Sequence, residues 1–234
     1  MITVLIGATG LVVGEILRRR VNRLGYRLPA LKPDEVDEVD GVDESDEVDE
    51  TALPSPGPRW WIPIVLGLVW AATTVLGPEV GGSHGGWSLS AVVLHAGWLA
   101  FSTVALWLAV IDLDVRRLPD SGQVLLAVIV VTCSVLLTWG HPGRLLACAG
   151  AAMGCGLVFF AIHAIGKGSM GLGDVKLVMT CAWWLALTSM TTVFAGLVAA
   201  CLLAVLFAAL TRARTLAFGP WLAAGTLVAG LLVA

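Results

Sequence analysis

Apolar runs of membrane-crossing length decide what this chain can become. A bilayer core about 30 Å thick asks for roughly 20 apolar residues per helix, with a range of about 17–25. Stretches of that kind fall at 2–17, 60–77, 88–111, 122–139, 145–166, 175–188, 191–211 and 215–233. They raise the chain to 58% hydrophobic residues and a mean hydropathy of +0.89, where a soluble domain holds about 45–50% apolar residues. In lipid every backbone polar group must be paired within its own segment, which makes helices the default. The sixth and seventh runs nearly fuse. One helix over 175–210 would be about 54 Å long at 1.5 Å per residue, too long for a single crossing. The polar stretch Thr188-Ser189-Met190-Thr191-Thr192 is the expected turn. The expectation is an all-α polytopic membrane protein with about eight transmembrane helices.

Charge orients these spans. Eleven of the seventeen acids lie in one stretch, Asp34–Glu50, leaving six acids against fourteen lysines and arginines elsewhere. With the N-terminus outside, thirteen of those fourteen basic residues fall in inner segments: Arg18, Arg19, Arg20, Arg23, Arg27, Lys32, Arg59, Arg116, Arg117, Lys167, Lys176, Arg212 and Arg214. Arg144 alone falls outside. The positive-inside rule therefore supports both the count of spans and their direction. Since topology accounts for the basic residues, nothing points to nucleic acid as a partner; the surrounding partner is membrane lipid.

Three parts follow from this reading. Residues 1–17 form an N-terminal transmembrane anchor: no positive region precedes the apolar run, arginines come after it, and no Ala-x-Ala site follows. Residues 18–59 form a cytoplasmic loop whose middle repeats a Val-Asp-Glu unit. Such charge density without aromatic residues builds no core and is expected to be disordered. Residues 60–234 form a seven-helix membrane domain, opened by the interfacial pair Trp60-Trp61.

Two acidic sites stand at span borders on the inner side. Asp112-Leu113-Asp114 follows the run ending at Ile111, and Asp174 sits in Gly171-Leu172-Gly173-Asp174-Val175-Lys176 where another run begins. Either acid alone reads as a solvated loop end. Two at one face suggest chemistry, because carboxylates near lipid are costly to desolvate. A pair of aspartates can hydrolyse an amide when one carboxylate draws a proton from water and its partner donates one, and two close carboxyls share a proton and titrate as a unit. Gly171 and Gly173 would let the backbone approach a neighbour closely, and would permit a positive φ that turns Asp174 inward. Lys176 either biases Asp174 or reaches to the headgroups. Arg116 and Arg117 read as loop anchors, and Leu118-Pro119-Asp120 as a helix break fixing the fourth span.

Other chemistry finds no support in the pattern. Cysteines 133, 148, 155, 181 and 201 all lie in apolar runs without a Cys-x-x-Cys pair and read as packing residues. His84, His95, His141 and His163 lack metal-site spacing, so no metal is expected.

Taken together, the acidic segments resemble those of the type IV prepilin leader peptidases, a family of Gly-x-Gly-Asp membrane aspartic proteases. Gly171-Leu-Gly-Asp-Val-Lys-Leu177 resembles the family's second catalytic segment, and Ile111-Asp-Leu-Asp-Val-Arg-Arg-Leu-Pro-Asp120 its first. Phe218-Gly-Pro-Trp-Leu-Ala-Ala-Gly225 is similar to a Phe-Gly-Pro segment near the family's C-terminus, so the resemblance covers about 88–233. It implies catalysis by Asp112 and Asp174, with Asp114 the alternative for the first role and Gly171, Gly173 and Lys176 supporting the loop. It implies an aspartic endopeptidase of the bacterial inner membrane, serving type IV pilus assembly or protein secretion. The substrate would be a pilin-like precursor whose short basic leader is cut off at the cytoplasmic membrane face. Gly10-Leu-Val-Val-Gly-Glu15 is faintly similar to the start of longer members, which carry paired Cys-x-x-Cys metal motifs and also methylate the new N-terminus. Here the acidic repeat occupies that place and no cysteine does. Zinc is therefore not expected, S-adenosylmethionine-dependent methyl transfer is not implied, and no cofactor is expected.

Two other functions use the same residues. A transporter or proton relay would place acids in the membrane, but these stand at one face and no span carries a midplane acid. An inactive assembly protein would keep the helices without needing both aspartates.

Overall fold

The computed structural model describes residues 1–29, 50–76, 88–166, 170–212 and 216–232. The acidic repeat, apart from Glu50, and the glycine-rich segment holding His84 lie outside the described residues. Among the described residues the secondary structure is helical, with eight α-helices and a 3-10 turn at Glu50–Ala52. The helices are α1 (Ile2–Asn22), α2 (Trp61–Val75), α3 (Leu89–Val115), α4 (Asp120–Leu137), α5 (Pro142–Ile165), α6 (Leu172–Ala186), α7 (Met190–Thr211) and α8 (Gly219–Leu232). Four of them, α3, α4, α5 and α7, have the length and hydropathy to cross a bilayer, while α2 and α8 are apolar but shorter. The protein is an all-helical, polytopic membrane protein.

Local chemistry sets several boundaries. Ser88 and Ser189 cap α3 and α7 by accepting from the backbone N–H groups of Ala91 and Thr192, which would otherwise lack partners in the first turn. Pro119 ends the short α3–α4 link and opens α4, as the sequence suggests. The expected break between the sixth and seventh runs occurs at Leu187–Ser189. Other boundaries differ from the apolar runs. Helix α1 continues through Arg18–Arg20, and α3 continues four residues past Ile111. Asp112 and Asp114 are thus inside the last turn of a helix, not in a loop following it. Hydropathy marks where lipid ends, whereas the hydrogen-bond ladder stops only at Arg116, whose backbone is left-handed.

Packing relies on small residues and aromatic rings. Between helices in lipid there is no water to exclude, so close backbone approach supplies the attraction. Gly7, Gly10 and Gly14 lie three and four residues apart on one face of α1 and meet Ala71, Gly67 and Pro63 of α2. Gly196 and Ala200 of α7 meet Gly225 of α8 in the same manner. Trp98 and Phe101 of α3 enclose Trp184 of α6 at ring-centroid distances of 5.3 and 5.8 Å. Contacts of this type are worth about 0.5–1.5 kcal/mol each beyond area burial. By contrast, Val124, Val128, Leu146, Val158, Phe194 and Leu202 point outward from α4, α5 and α7, as lipid-facing residues must.

Successive helices run up and down, which gathers alternate ends. The C-terminal ends of α1 and α3 and the N-terminal ends of α4, α6 and α8 meet at one end of the bundle. At the opposite end, Arg144 of α5 donates to the carbonyl of Leu187 after α6 at 2.8 Å.

Candidate active site

Asp112 projects from the last turn of α3 into the interior and is only 5% exposed. Its Oδ2 accepts a 3.0 Å hydrogen bond from the backbone N–H of Gly219, the first residue of α8. A helix N-terminus presents unpaired N–H groups and a partial positive charge, so it suits a carboxylate. Glycine is required there for space: a Cβ at 219 would stand 2.7 Å from Asp112 Oδ2 and 3.3 Å from Cγ.

Asp174 comes from the first turn of α6, where an acid is favoured for the same electrostatic reason. Its backbone N–H closes that turn onto the Gly171 carbonyl at 3.1 Å. Its Oδ1 is buried with no hydrogen-bond partner. Although sixty-two positions separate the two acids in sequence, Leu118 packs both on Gly173, the residue before Asp174, and on Gly219, whose N–H holds Asp112. The structure therefore brings together the two aspartates singled out in the sequence.

Leu118 stands between the glycines that accompany each acid. Its Cβ lies 3.0 Å from where a Cβ on Gly173 would sit, and its Cδ1 lies 3.5 Å from the corresponding position on Gly219. Gln123 of α4 completes this wall, with Nε2 at 3.3 Å from the same Gly173 position. Gln123 is 5% exposed, and neither end of its amide has a partner.

The two glycines before Asp174 act differently from one another. Gly173 permits the close approach expected of it. Gly171 does not take a positive φ: it caps α6 in extended backbone at φ −67°, a conformation open to any residue. The expectation that left-handed glycine aims Asp174 is corrected, since the helix register does so instead. A Cβ on Gly171 would meet nothing closer than 3.8 Å.

Three other singled-out residues stand apart from the carboxyl pair. Asp114, two residues from Asp112, points to the opposite side of α3. Arg27 binds it through Nε and an Nη nitrogen at 3.0 and 2.9 Å, Tyr26 donates to it at 2.5 Å, and Arg59 lies 3.4 Å away. Burial, followed by the bond to Asp114, pushes the Tyr26 hydroxyl above its ordinary pKa and keeps it a donor. The hydrogen bond to Asp114 likewise raises the pKa of Arg27. Lys176 neither faces Asp174 nor stands unpaired; its Nζ meets Asp120 at 2.5 Å on the exposed surface. Arg117 anchors a loop, as expected, by gripping Glu50 at 2.9 and 3.1 Å and the Tyr26 carbonyl at 3.2 Å.

Residue roles missed in the sequence are those of Gly219, Leu118 and Gln123. Gly219 had a visible signal, a Gly-Pro step opening an apolar helix, but nothing local tied it to Asp112. Gln123 was the polar residue in the first turn of an apolar run, and its inward direction follows from Gly122. A Cβ on Gly122 would press to 2.7 Å against Leu108 and 2.8 Å against Trp107, so its absence lets α4 settle onto α3.

Two carboxyls at one end of the apolar bundle form a donor and acceptor set of the kind that acid–base chemistry uses. Among the described residues no cluster of three histidines, cysteines or acids could ligate a metal. The model of the type IV leader peptidase family matches residues 99–211. That range contains Asp112, Asp174 and Gln123 and stops short of the Phe218-Gly-Pro segment, narrower than the resemblance drawn from sequence. No curated protein and no solved structure matches the chain.

Proposed function

Because the model of the type IV leader peptidase family matches residues 99–211, we propose that the chain is a membrane aspartic endopeptidase of that family acting through Asp112 and Asp174. Its substrate is the short leader of a pilin-like precursor. The observation that carries this reading is the convergence of two carboxyls from helices far apart in sequence, Asp112 buried and Asp174 half-buried with its Oδ1 enclosed, joined through Leu118, which packs on both Gly173 and Gly219.

Both carboxyls meet a backbone N–H, that of Gly219 for Asp112 and that of Gly171 for Asp174, but Asp174 Oδ1 is left buried without a partner. The shared proton is accordingly assigned to Asp174 in the resting enzyme, and Asp112 serves as general base. Asp112 takes a proton from water while the water oxygen adds to the scissile carbonyl carbon and Asp174 protonates the carbonyl oxygen. Asp112 then passes its proton to the amide nitrogen, the C–N bond breaks, and Asp174 recovers a proton from the hydroxyl of the diol. Each turnover consumes one water and returns the single shared proton.

The site faces the cytoplasm in this account. Thirteen of fourteen basic residues fall on that side when the N-terminus is outside and eight helices cross. A substrate with a basic leader in the cytoplasm and an apolar helix in the membrane would present its junction at this height. The protein would then reside in the bacterial inner membrane, with residues 60–234 as the peptidase domain.

Co-expression with a pilin-like precursor, followed by mass measurement of the precursor's N-terminus, tests the proposal. Leader removal that depends on this chain is the expected result. An intact precursor, together with proton flux through vesicles carrying the protein, would favour the transport reading instead.

A further inference from the structure

Gln123 is buried at the carboxyl pair with both its donor and its acceptor unpaired. Leaving an amide in that state is unfavourable, and α4 could have carried an apolar residue there without disturbing its pattern. The chemistry of the two free ends limits what the side chain awaits. An anion would engage only Nε2 and a cation only Oε1. One residue of an extended chain presents its own carbonyl and its own N–H on the same edge, the carbonyl to Nε2 and the N–H to Oε1, and so satisfies both.

A substrate segment must unwind before a protease can cut it, and unwinding at a membrane border exposes backbone groups with no water to accept them. Gln123 stands beside Gly173, one residue before Asp174, where such a segment would lie. We infer that the Gln123 carboxamide binds the backbone N–H and carbonyl of one residue of the extended substrate next to the scissile bond. The inference rests on the peptidase reading of this same site and adds a substrate-binding residue to it. Gln123 neither carries a proton nor attacks; it holds the strand in line.

The test uses Gln123→Met in the full-length protein, because methionine keeps the length and volume and removes both hydrogen-bonding ends. The probe is a peptide spanning the leader–helix junction of a pilin-like precursor, together with versions in which single amides near the cut are replaced by esters. The variant should cut the all-amide peptide about ten- to a hundredfold more slowly per folded molecule, as expected for two lost hydrogen bonds. Its thermal stability should be unchanged or higher, because an unsatisfied buried amide has been removed. One ester substitution should slow the wild type and leave Gln123→Met unaffected.

A purely structural glutamine would give the reverse, with lower stability and an unchanged rate per folded molecule, and that result overturns the inference. So does a variant that cuts like the wild type. A wild-type protein that leaves every peptide and the intact precursor uncut overturns the peptidase reading and this inference with it, so the two failures are distinguishable.

Discussion

Gly219→Ala probes the site at a position that bears no reactive group. The added methyl would sit 2.7 Å from Asp112 Oδ2 and 3.3 Å from its Cγ, well inside contact distance. Either the start of α8 retreats or the carboxyl rotates away, and both movements break the 3.0 Å bond from the Gly219 N–H. A hydrogen bond to a charged group is worth about 1.5–3 kcal/mol. If Asp112 is the general base, losing that partner leaves it misaligned and slows the chemical step about ten- to a hundredfold. The assay is the initial rate of leader removal over a range of precursor concentrations, with thermal inactivation of the same preparation followed in parallel. We expect kcat to fall and KM to hold, because Gly219 touches the carboxylate and not the substrate. A normal kcat in a protein of normal stability would refute the positioning role of the α8 N-terminus.

Four further outcomes follow from the same geometry. Gly173→Ala should reduce the rate, since its Cβ would crowd Leu118 at 3.0 Å, while Gly171→Ala should be close to wild type because nothing lies within 3.8 Å; equal effects in a side-by-side rate assay would contradict this. Asp114→Asn should cost about 3 kcal/mol of stability by leaving Arg27 and Arg59 without their buried counter-charge, seen as a lower inactivation temperature with near-normal cleavage by the folded fraction. Lys176→Gln should change cleavage by less than about twofold, because the exposed pair it forms with Asp120 is worth little; a larger loss in the rate assay would return Lys176 to the site. Deleting residues 34–49 should leave leader removal intact, since Glu50, which holds Arg117, stays in place; an uncut precursor in co-expression would give the acidic repeat a role in activity.

Each described α-helix overlaps one of the apolar runs, and four of them, α3, α4, α5 and α7, have the length and hydropathy that lipid requires of a span. Helix ends were less legible. Asp112 and Asp114 looked like loop residues because the scale that detects spans treats any carboxylate as an ending, although the hydrogen-bond ladder of α3 carries both. The division of labour between those two acids was not legible at all. It depends on Arg27 and Arg59, more than fifty residues upstream, reaching one side of the helix and leaving the other to Gly219. Asp174 was legible through its glycines, but one of them acts by its small size and the other has no special backbone. Gln123 and Leu118 gained their places only when α3, α4, α6 and α8 came together, so no local pattern announced them.

The central claim is that Asp112 and Asp174 work as one catalytic unit. It is tested most directly by leader removal in Asp112→Asn, Asp174→Asn and the double variant, each inserted at wild-type level. The account predicts that both single variants leave the precursor uncut and that the double variant is no worse than either. Substantial cleavage by one single variant, with a further loss when the second substitution is added, would show two independent groups and contradict the pair.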